Sequence, residues 1–361
     1  MMQAALRLAR RGLGAVWPNP AVGCILAKDG RVVGRGWTQP GGRPHAETEA
    51  LRRAGAAAAD ATAYVTLEPC SHWGYTPPCA DALVAARIGR AVVAVEDPDP
   101  RVSGRGIARL RKAGVLVDAG PYADEAAEIN AGFFTRVRLG RPLVTLKLAA
   151  SLDGRIATAG GESRWITGPA ALDYAHLLRA SHDAVLVGTG TVLADDPQLT
   201  CRLPGLGRRG PMRVALDRAL RIPPAARIMA EARNLPTWIV TLADADPARQ
   251  QRLRDAGVEI ILVTADDAGR IDLAATLAAL GARGLTRLLV EGGGRLAAAL
   301  LRADLVDRLV WLHAPLLLGG EAIPAVAALG LDRLDTAPRF ERIECAPLGA
   351  DVLSCFRVRR G

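Results

Sequence analysis

One imidazole and two thiols do most to limit what this chain can fold into. They stand in His45-Ala46-Glu47, Glu68-Pro69-Cys70 and Pro78-Cys79. A neutral histidine and two thiolates suit three of the four tetrahedral positions of zinc. The fourth is then left to water, as in a catalytic centre, and zinc lowers the pKa of such a water to about 7. Glu47 lies on a helical start and is not needed as a ligand. It can carry a proton from that water to a leaving amine. A fold that uses this set must bring a helix start and two proline-preceded cysteines to one point. The rival is a buried helix with two unrelated cysteines.

A histidine, a glutamate two residues on, and a later Pro-Cys pair with a second cysteine mark the zinc nucleobase deaminases. Their cysteines are usually separated by two residues. Here the insert is longer, Ser71-His72-Trp73-Gly74-Tyr75-Thr76-Pro77-Pro78.

Around this set, residues 3–11 form an amphipathic helix. Strands at 22–26 and 32–36 flank the turn Lys28-Asp29-Gly30, a hairpin signal. Helices at 46–53, 80–87 and 107–113 alternate with strands at 63–66, 91–95 and 115–117. A seam falls at Leu139-Gly140-Arg141-Pro142. Beyond it apolar strands follow at 143–149, 184–187, 213–216, 238–241, 260–263, 287–290 and 308–312. Helices at 169–179, 273–280 and 295–301 sit between several of them. This is a second α/β unit with a large, mostly parallel sheet. Two domains suit a chain of 361 residues.

The net charge of +9 invites a nucleic-acid reading. However, Lys28, Lys112 and Lys147 are the only lysines among 46 basic residues, and the arginines are scattered. Aromatic residues are 4%, too few for a base-stacking surface. A small anionic ligand explains the arginines as well as a polynucleotide does. No apolar run approaches the roughly 20 residues of a membrane helix. The N-terminus is broken by arginines and lacks a secretory core. Six cysteines at irregular spacing point to a reducing cytoplasm, not to a disulfide framework. Cys24, Cys201, Cys345 and Cys355 read as core or incidental thiols, and His176 and His182 as structural.

Several stretches bear a family resemblance. They are Pro18-Asn19-Pro20-Ala21-Val22-Gly23, Pro44-His45-Ala46-Glu47, Leu67-Glu68-Pro69-Cys70-Ser71-His72, Thr76-Pro77-Pro78-Cys79 and Asp97-Pro98-Asp99-Pro100. In the second half they are Lys147-Leu148-Ala149-Ala150-Ser151-Leu152-Asp153-Gly154, Gly161-Glu162-Ser163, Trp165-Ile166-Thr167 and Thr191-Val192-Leu193-Ala194-Asp195-Asp196-Pro197. The chain resembles the bifunctional deaminase–reductases of riboflavin biosynthesis from its first helix to its end.

The resemblance implies an α/β protein with a cytidine-deaminase-like α/β/α sandwich at 1–141. A dihydrofolate-reductase-like α/β domain follows at 142–361. The first would deaminate 2,5-diamino-6-(5-phosphoribosylamino)pyrimidin-4(3H)-one with zinc on His45, Cys70 and Cys79 and with Glu47 as proton carrier. The second would use NADPH to reduce the ribosyl chain, giving 5-amino-6-(5-phosphoribitylamino)uracil. The same likeness implies deaminase substrate contacts at Asn19, His72 and Thr76. In the reductase it implies cofactor contacts at Ala149, Trp165, Thr191, Asp195, Gly293 and Gly294. Ser163, Arg179, Leu199, Arg202 and Glu291 would contact substrate, and Lys147 would be the polar group at the reacting sugar. The expected partners are phosphorylated pyrimidines, with no nucleic acid and no membrane, in a cytoplasmic homo-oligomer, dimer or tetramer.

No G-x-G-x-x-G follows the first strand of either half, so an ordinary dinucleotide fingerprint is absent. Instead Glu291-Gly292-Gly293-Gly294 runs from a strand into a helix, where glycines let backbone approach phosphate. His72 could instead cap its loop, and Trp165 could be core. Thr38 stands where the family pattern has histidine, and Tyr75 where it has arginine or lysine. Arg43 is the nearest substitute cation, and an arginine at 75 should tighten substrate binding. Two rivals remain: a tRNA or nucleoside deaminase with an accessory domain, and a non-catalytic zinc module with a fourth protein ligand.

Overall fold

The computed structural model describes residues 1–206 and 210–359. The chain divides into two compact units, Met1–Gly140 and Arg141–Gly361. The expected second domain includes 207–209 and 360–361, which lie outside the described residues.

In the first unit β1 (Gly23–Lys28) and β2 (Arg31–Trp37) form the expected hairpin. Its turn is Asp29-Gly30, at φ of 50° and 75°, a conformation that Asp-Gly accommodates and that matches strand twist. With β3 (Thr62–Val65), β4 (Arg90–Val93) and β5 (Leu116–Ala119) it makes a sheet of order β2-β1-β3-β4-β5. The last three strands are parallel. The helices are α1 (Met2–Ala9), α2 (Ala46–Ala54), α3 (Cys79–Ala85), α4 (Arg105–Lys112), α5 (Ala123–Ile129) and α6 (Ala131–Leu139).

Strand alternation sorts the core into two layers. Cys24 and Leu26 turn to one face, with Ala46 and Ala50 of α2, Leu83 of α3 and Leu110 of α4. Ile25 and Val92 turn to the other, with Ala5 and Leu6 of α1 and Ala126 of α5. The result is an α/β/α sandwich. Two glycines let the helices lie flush on the hairpin. A Cβ at Gly23 would fall 1.9 Å from the Ala5 carbonyl oxygen, and one at Gly36 would fall 2.0 Å from that of Ala46. The second contact seats the start of α2, and with it His45 and Glu47.

The second unit has strands β6 (Leu143–Ser151), β7 (Arg155–Ala157), β8 (Ala184–Gly188), β9 (Met212–Leu216), β10 (Thr237–Leu242), β11 (Glu259–Val263), β12 (Arg287–Val290), β13 (Arg308–Ala314), β14 (Ile323–Pro324), β15 (Phe340–Leu348) and β16 (Asp351–Val358). Its helices are α7 (Pro169–Ser181), α8 (Thr189–Asp195), α9 (Arg227–Ala230), α10 (Pro247–Asp255), α11 (Leu273–Ala282) and α12 (Gly294–Arg302). The main sheet runs β11-β10-β9-β8-β12-β6-β13-β16-β15. Its first seven strands are parallel, and β16 and β15 close it as an antiparallel hairpin. From β6 the chain passes to β8 and outward to β11, then returns to put β12 between β6 and β8. The crevice beyond the carboxyl ends of these central strands is where such sheets bind ligands.

Candidate active sites

His45 is the N-terminal cap residue of α2, and Cys79 is the first residue of α3. Cys70 lies on the loop after β3. These three offer ligand atoms all within 4.8 Å of one another, and no fourth ligand joins them among the described residues. His45 Nδ1 is 3.3 Å from Cys79 Sγ and 3.7 Å from Cys70 Sγ. The Cys79 backbone N–H donates to Cys70 Sγ at 3.2 Å. The hydrogen bond with Cys79, and after it that with His45, lowers Cys70 from the ordinary thiol range, so it is the readier thiolate of the pair. The same hydrogen bond, with burial, pushes Cys79 up. Two sulfurs that compete for one proton beside an imidazole nitrogen are the donor set zinc requires, and the cluster fits that ion.

Glu47 is buried and faces a cavity of about 240 Å³ lined also by Asn19, Thr38, Arg43, His45, Cys70 and His72. Burial first, then the charge on Cys70, raises its carboxyl to about 7. Asn19 Nδ2 donates to the Gly42 carbonyl at 3.0 Å, which fixes its amide at the cavity wall. His72 lines the cavity, and among the described residues its buried Nδ1 has no hydrogen-bond partner. Thr76 is exposed and lies outside the lining; it accepts a 2.9 Å hydrogen bond from Arg43 Nη1. Tyr75 is 95% exposed, with the Arg43 guanidinium 5.2 Å from its ring centre. Thr38 is buried, and its hydroxyl accepts from Val22 N–H and donates to the Pro20 carbonyl. It therefore ties two loop segments together.

Some cavity residues escaped the sequence reading. Asp97 lines the cavity, and burial pushes it up to about 7 against the lowering effect of the Asp99 N–H it accepts, with the charges of Asp99, Glu68 and Cys70 adding to the rise. The Asp-Pro-Asp-Pro motif was its only signal. Glu68 accepts backbone N–H groups from Asp97, Gly104, Gly106 and Ile107. It fastens the cysteine loop to the start of α4.

In the second unit Lys147 and Ala149 come from the end of β6, Arg179 from α7, Thr191 and Asp195 from α8, and Glu291 from just beyond β12. All six line a cavity of about 240 Å³ with Leu199, Gly292 and Gly293. A neighbouring cavity of about 520 Å³ shares Lys147, Arg179 and Glu291 and adds Ser163, Trp165, His176 and Arg202. Arg179 clamps Glu291 through two hydrogen bonds, of 2.6 and 2.9 Å, and Lys147 Nζ lies 3.9 Å from the same carboxylate. Burial opposes the charge on Glu291, but Arg179 and Lys147 outweigh it and hold the carboxyl at about 2. Burial lowers Lys147 from the ordinary lysine range.

Trp165 is 68% exposed, so it is not core. Gly294 does not line either cavity. A Cβ there would meet the Pro324 carbonyl oxygen at 2.4 Å, so this glycine serves close packing, while Gly293 faces Thr191. Asp153 accepts from Ser151 and from the backbone of Leu318 and Gly319, a loop clamp. His182 is buried between the Leu178 carbonyl and the Thr145 hydroxyl, as a structural histidine would be. His176, read as structural, also lines the larger cavity. Its Nδ1 is 3.1 Å from the Thr200 carbonyl.

An open three-ligand metal site on an α/β/α sandwich, followed by a parallel-sheet unit with a ligand crevice, defines a metal-dependent deaminase joined to a reductase. The cytidine and deoxycytidylate deaminase zinc-binding region matches residues 1–95, and the RibD C-terminal domain matches 142–354. The riboflavin biosynthesis protein RibD of Escherichia coli is 44% identical over 97% of this chain and 96% of its own length. The solved RibD of Acinetobacter baumannii superposes with a TM-score of 0.89 at 39% identity, covering 99% of this chain and 98% of that one. A deaminase–reductase structure from Thermotoga maritima gives 0.86 at 34% identity, covering 99% and 97%. The chain belongs to the RibD family of bifunctional deaminase–reductases of riboflavin biosynthesis. Among its described residues no helix is long and apolar enough to cross a membrane.

Proposed function

We propose that the first unit, 1–141, deaminates 2,5-diamino-6-(5-phosphoribosylamino)pyrimidin-4(3H)-one. The second, 142–361, then reduces the ribosyl chain with NADPH to give 5-amino-6-(5-phosphoribitylamino)uracil. The observation that carries this reading is the convergence of His45, Cys70 and Cys79 beside Glu47 in one cavity. His45, Cys70 and Cys79 would hold zinc, which when bound supplies a Lewis acid that activates water near neutral pH. Glu47 takes a proton from the attacking water and delivers it to the leaving amino group. The new C–O bond replaces C–N, and ammonia departs. A carboxyl near 7 is suited to both halves of that transfer. Asn19 and His72 orient the pyrimidine, and Arg43, steadied by Thr76, holds its phosphate.

In the second unit Ala149, Trp165, Thr191, Asp195 and Gly293 line the cofactor side, and Gly294 supports it from behind. NADPH, when bound there, supplies the hydride for C1′ of the opened sugar. Lys147 and Glu291 present a donor and an acceptor to that sugar. Ser163, Arg179, Leu199 and Arg202 shape the substrate side. The enzyme works in the cytoplasm as a homo-oligomer, dimer or tetramer. The test is incubation with the diamino substrate, with and without NADPH. Ammonia and a product with one amino group exchanged for oxygen are expected without NADPH, and a further gain of two hydrogens with it. Absence of ammonia release by the zinc-loaded protein would overturn the deaminase half.

A further inference from the structure

Helix α7 carries His176 and Arg179 three residues apart, so the two side chains share one face, and both line the cavity of about 520 Å³. Both also reach the Thr200 carbonyl, Arg179 Nη1 donating to it at 3.1 Å and His176 Nδ1 lying 3.1 Å away. A carbonyl only accepts, so the proton of the neutral imidazole sits on Nδ1. Nε2 keeps its lone pair, and it has no hydrogen-bond partner among the described residues. The buried His182, by contrast, uses both ring nitrogens. Arg179 spends Nε and Nη2 on Glu291, which leaves no fork for a second anion. Arg202 lines the same cavity and has no ion pair or side-chain hydrogen bond among the described residues. Of the other charged groups in the lining, Lys147 lies beside Glu291, and Arg164 donates to the Asp195 carbonyl. Arg227 donates from its side chain to Gln198 and from its backbone to the Asp196 carboxylate. Burial first, then the charges of Arg179 and Arg202, lowers His176 from its ordinary 6.5, against the Thr200 hydrogen bond and Glu291. These surroundings keep the imidazole neutral near pH 7.

We infer that Nε2 of His176, beside Arg202, binds the phosphate of the sugar substrate, and that it takes up a proton as the phosphate arrives. This rests on the reductase reading of the second unit. It goes further by making substrate capture there proton-coupled. A dianion set between Nε2 and Arg202 offsets the arginine charges that disfavour the imidazolium, and it gives the new N–H an acceptor. A phosphate monoester has its second pKa at about 6. Above about pH 7 it is a dianion, so the proton comes from solvent: an N–H bond forms at Nε2, and no bond of the substrate breaks. The sign follows. The imidazole is lowered in the free protein and raised in the complex, so the gain in affinity is present near neutral pH and is lost as pH rises through the raised value.

The test is reduction of the deaminated substrate by saturating NADPH from about pH 7 to about pH 9, with calorimetry on the same proteins. Wild-type KM should rise about tenfold over that range, as expected for one charge-assisted hydrogen bond. In His176→Gln, whose amide donates without titrating, KM should change by less than about twofold, and kcat should stay within about threefold of wild type at each pH. Comparison with this variant separates the imidazole from Lys147, which burial also lowers. Calorimetric binding of the deaminated substrate to the NADP⁺-loaded protein, in buffers of different ionisation enthalpy, should show proton uptake in wild type that His176→Gln loses. The unphosphorylated ribosyl analogue should lose the same uptake in wild type, which decides the matter even if the variant melts early. KM curves that run parallel in the two proteins, or equal proton uptake with and without the phosphate, overturn the assignment while reduction by wild type leaves the reductase reading standing. If wild type does not reduce the deaminated substrate with NADPH, the reductase reading falls and the inference falls with it.

Discussion

At Cys79 two tasks meet in one residue. Its backbone N–H donates to Cys70 Sγ at the first turn of α3, and its own sulfur completes the ligand set. Cys79→Ser keeps the first and loses the second, because hydroxyl is a poor zinc ligand beside thiolate. Purified Cys79→Ser should carry well under one equivalent of zinc by metal analysis, and its first unit should melt earlier. A full equivalent would remove Cys79 from the ligand set. Among the described residues Arg43 has no carboxylate partner, and it reaches the cavity, whereas Tyr75 points to solvent. A charge-assisted phosphate contact contributes about 1.5–3 kcal/mol. Arg43→Ala should therefore raise the deaminase KM about ten- to a hundredfold with kcat little changed, since the contact is equal in ground and transition states. Tyr75→Arg places a like charge against Arg43 outside the cavity and should not lower KM, contrary to what the family pattern suggests. Steady-state kinetics on both variants checks this. The cluster of His45, Cys70 and Cys79 with Glu47 beside it was legible because a zinc deaminase site demands fixed residue types in a fixed order. The reach of Arg43 was not, because it depends on how two loops meet.

Elements were legible where one face is apolar. The strands of the first sheet and helices α1 to α4 follow from apolar periodicity and from the Asp-Gly turn, whereas α5 and α6 were not foreseen. The last hairpin, β15 and β16, was not foreseen, because β15 reads Phe-Glu-Arg-Ile-Glu-Cys-Ala-Pro-Leu and is exposed along most of its length. A strand solvated on both faces has no period to find. Between α7 and β8 a different effect is built in. His182 is buried at the end of α7, and burial, aided by Arg287, lowers it from the ordinary 6.5 to about 4. The folded state therefore keeps this imidazole neutral where the unfolded chain would protonate it. The stability it confers is intact above pH 6.5 and is lost as pH falls from there to about 4. Melting temperature of the second unit should drop through that window, and His182→Gln should flatten the drop. Parallel curves for variant and wild type would mean that His182 does not titrate as described.

At the scale of the whole molecule, each unit owns its core and its chemistry. The apolar cluster holding Val185, Ala215, Ile239 and Leu289 lies within the second unit, and those holding Leu26, Leu83 and Ile25 lie within the first. Glu47 and Lys147 accordingly sit in separate cavities with no lining residue in common. A substitution in one should leave the other working. Glu47→Gln keeps the side-chain shape but cannot carry a proton, and such groups contribute on the order of 10²–10⁴-fold. It should release no ammonia yet reduce deaminated substrate at the wild-type rate. Lys147→Gln should release ammonia and stop at the deaminated intermediate. Mixed in equal amounts with NADPH and the diamino substrate, the two variants should together form the ribityl product, with a lag while the intermediate builds up in solution. Chromatography of the time course separates the outcomes. Accumulation of intermediate without ribityl product would show that Glu47→Gln has lost reduction as well, so that the two sites do not work independently.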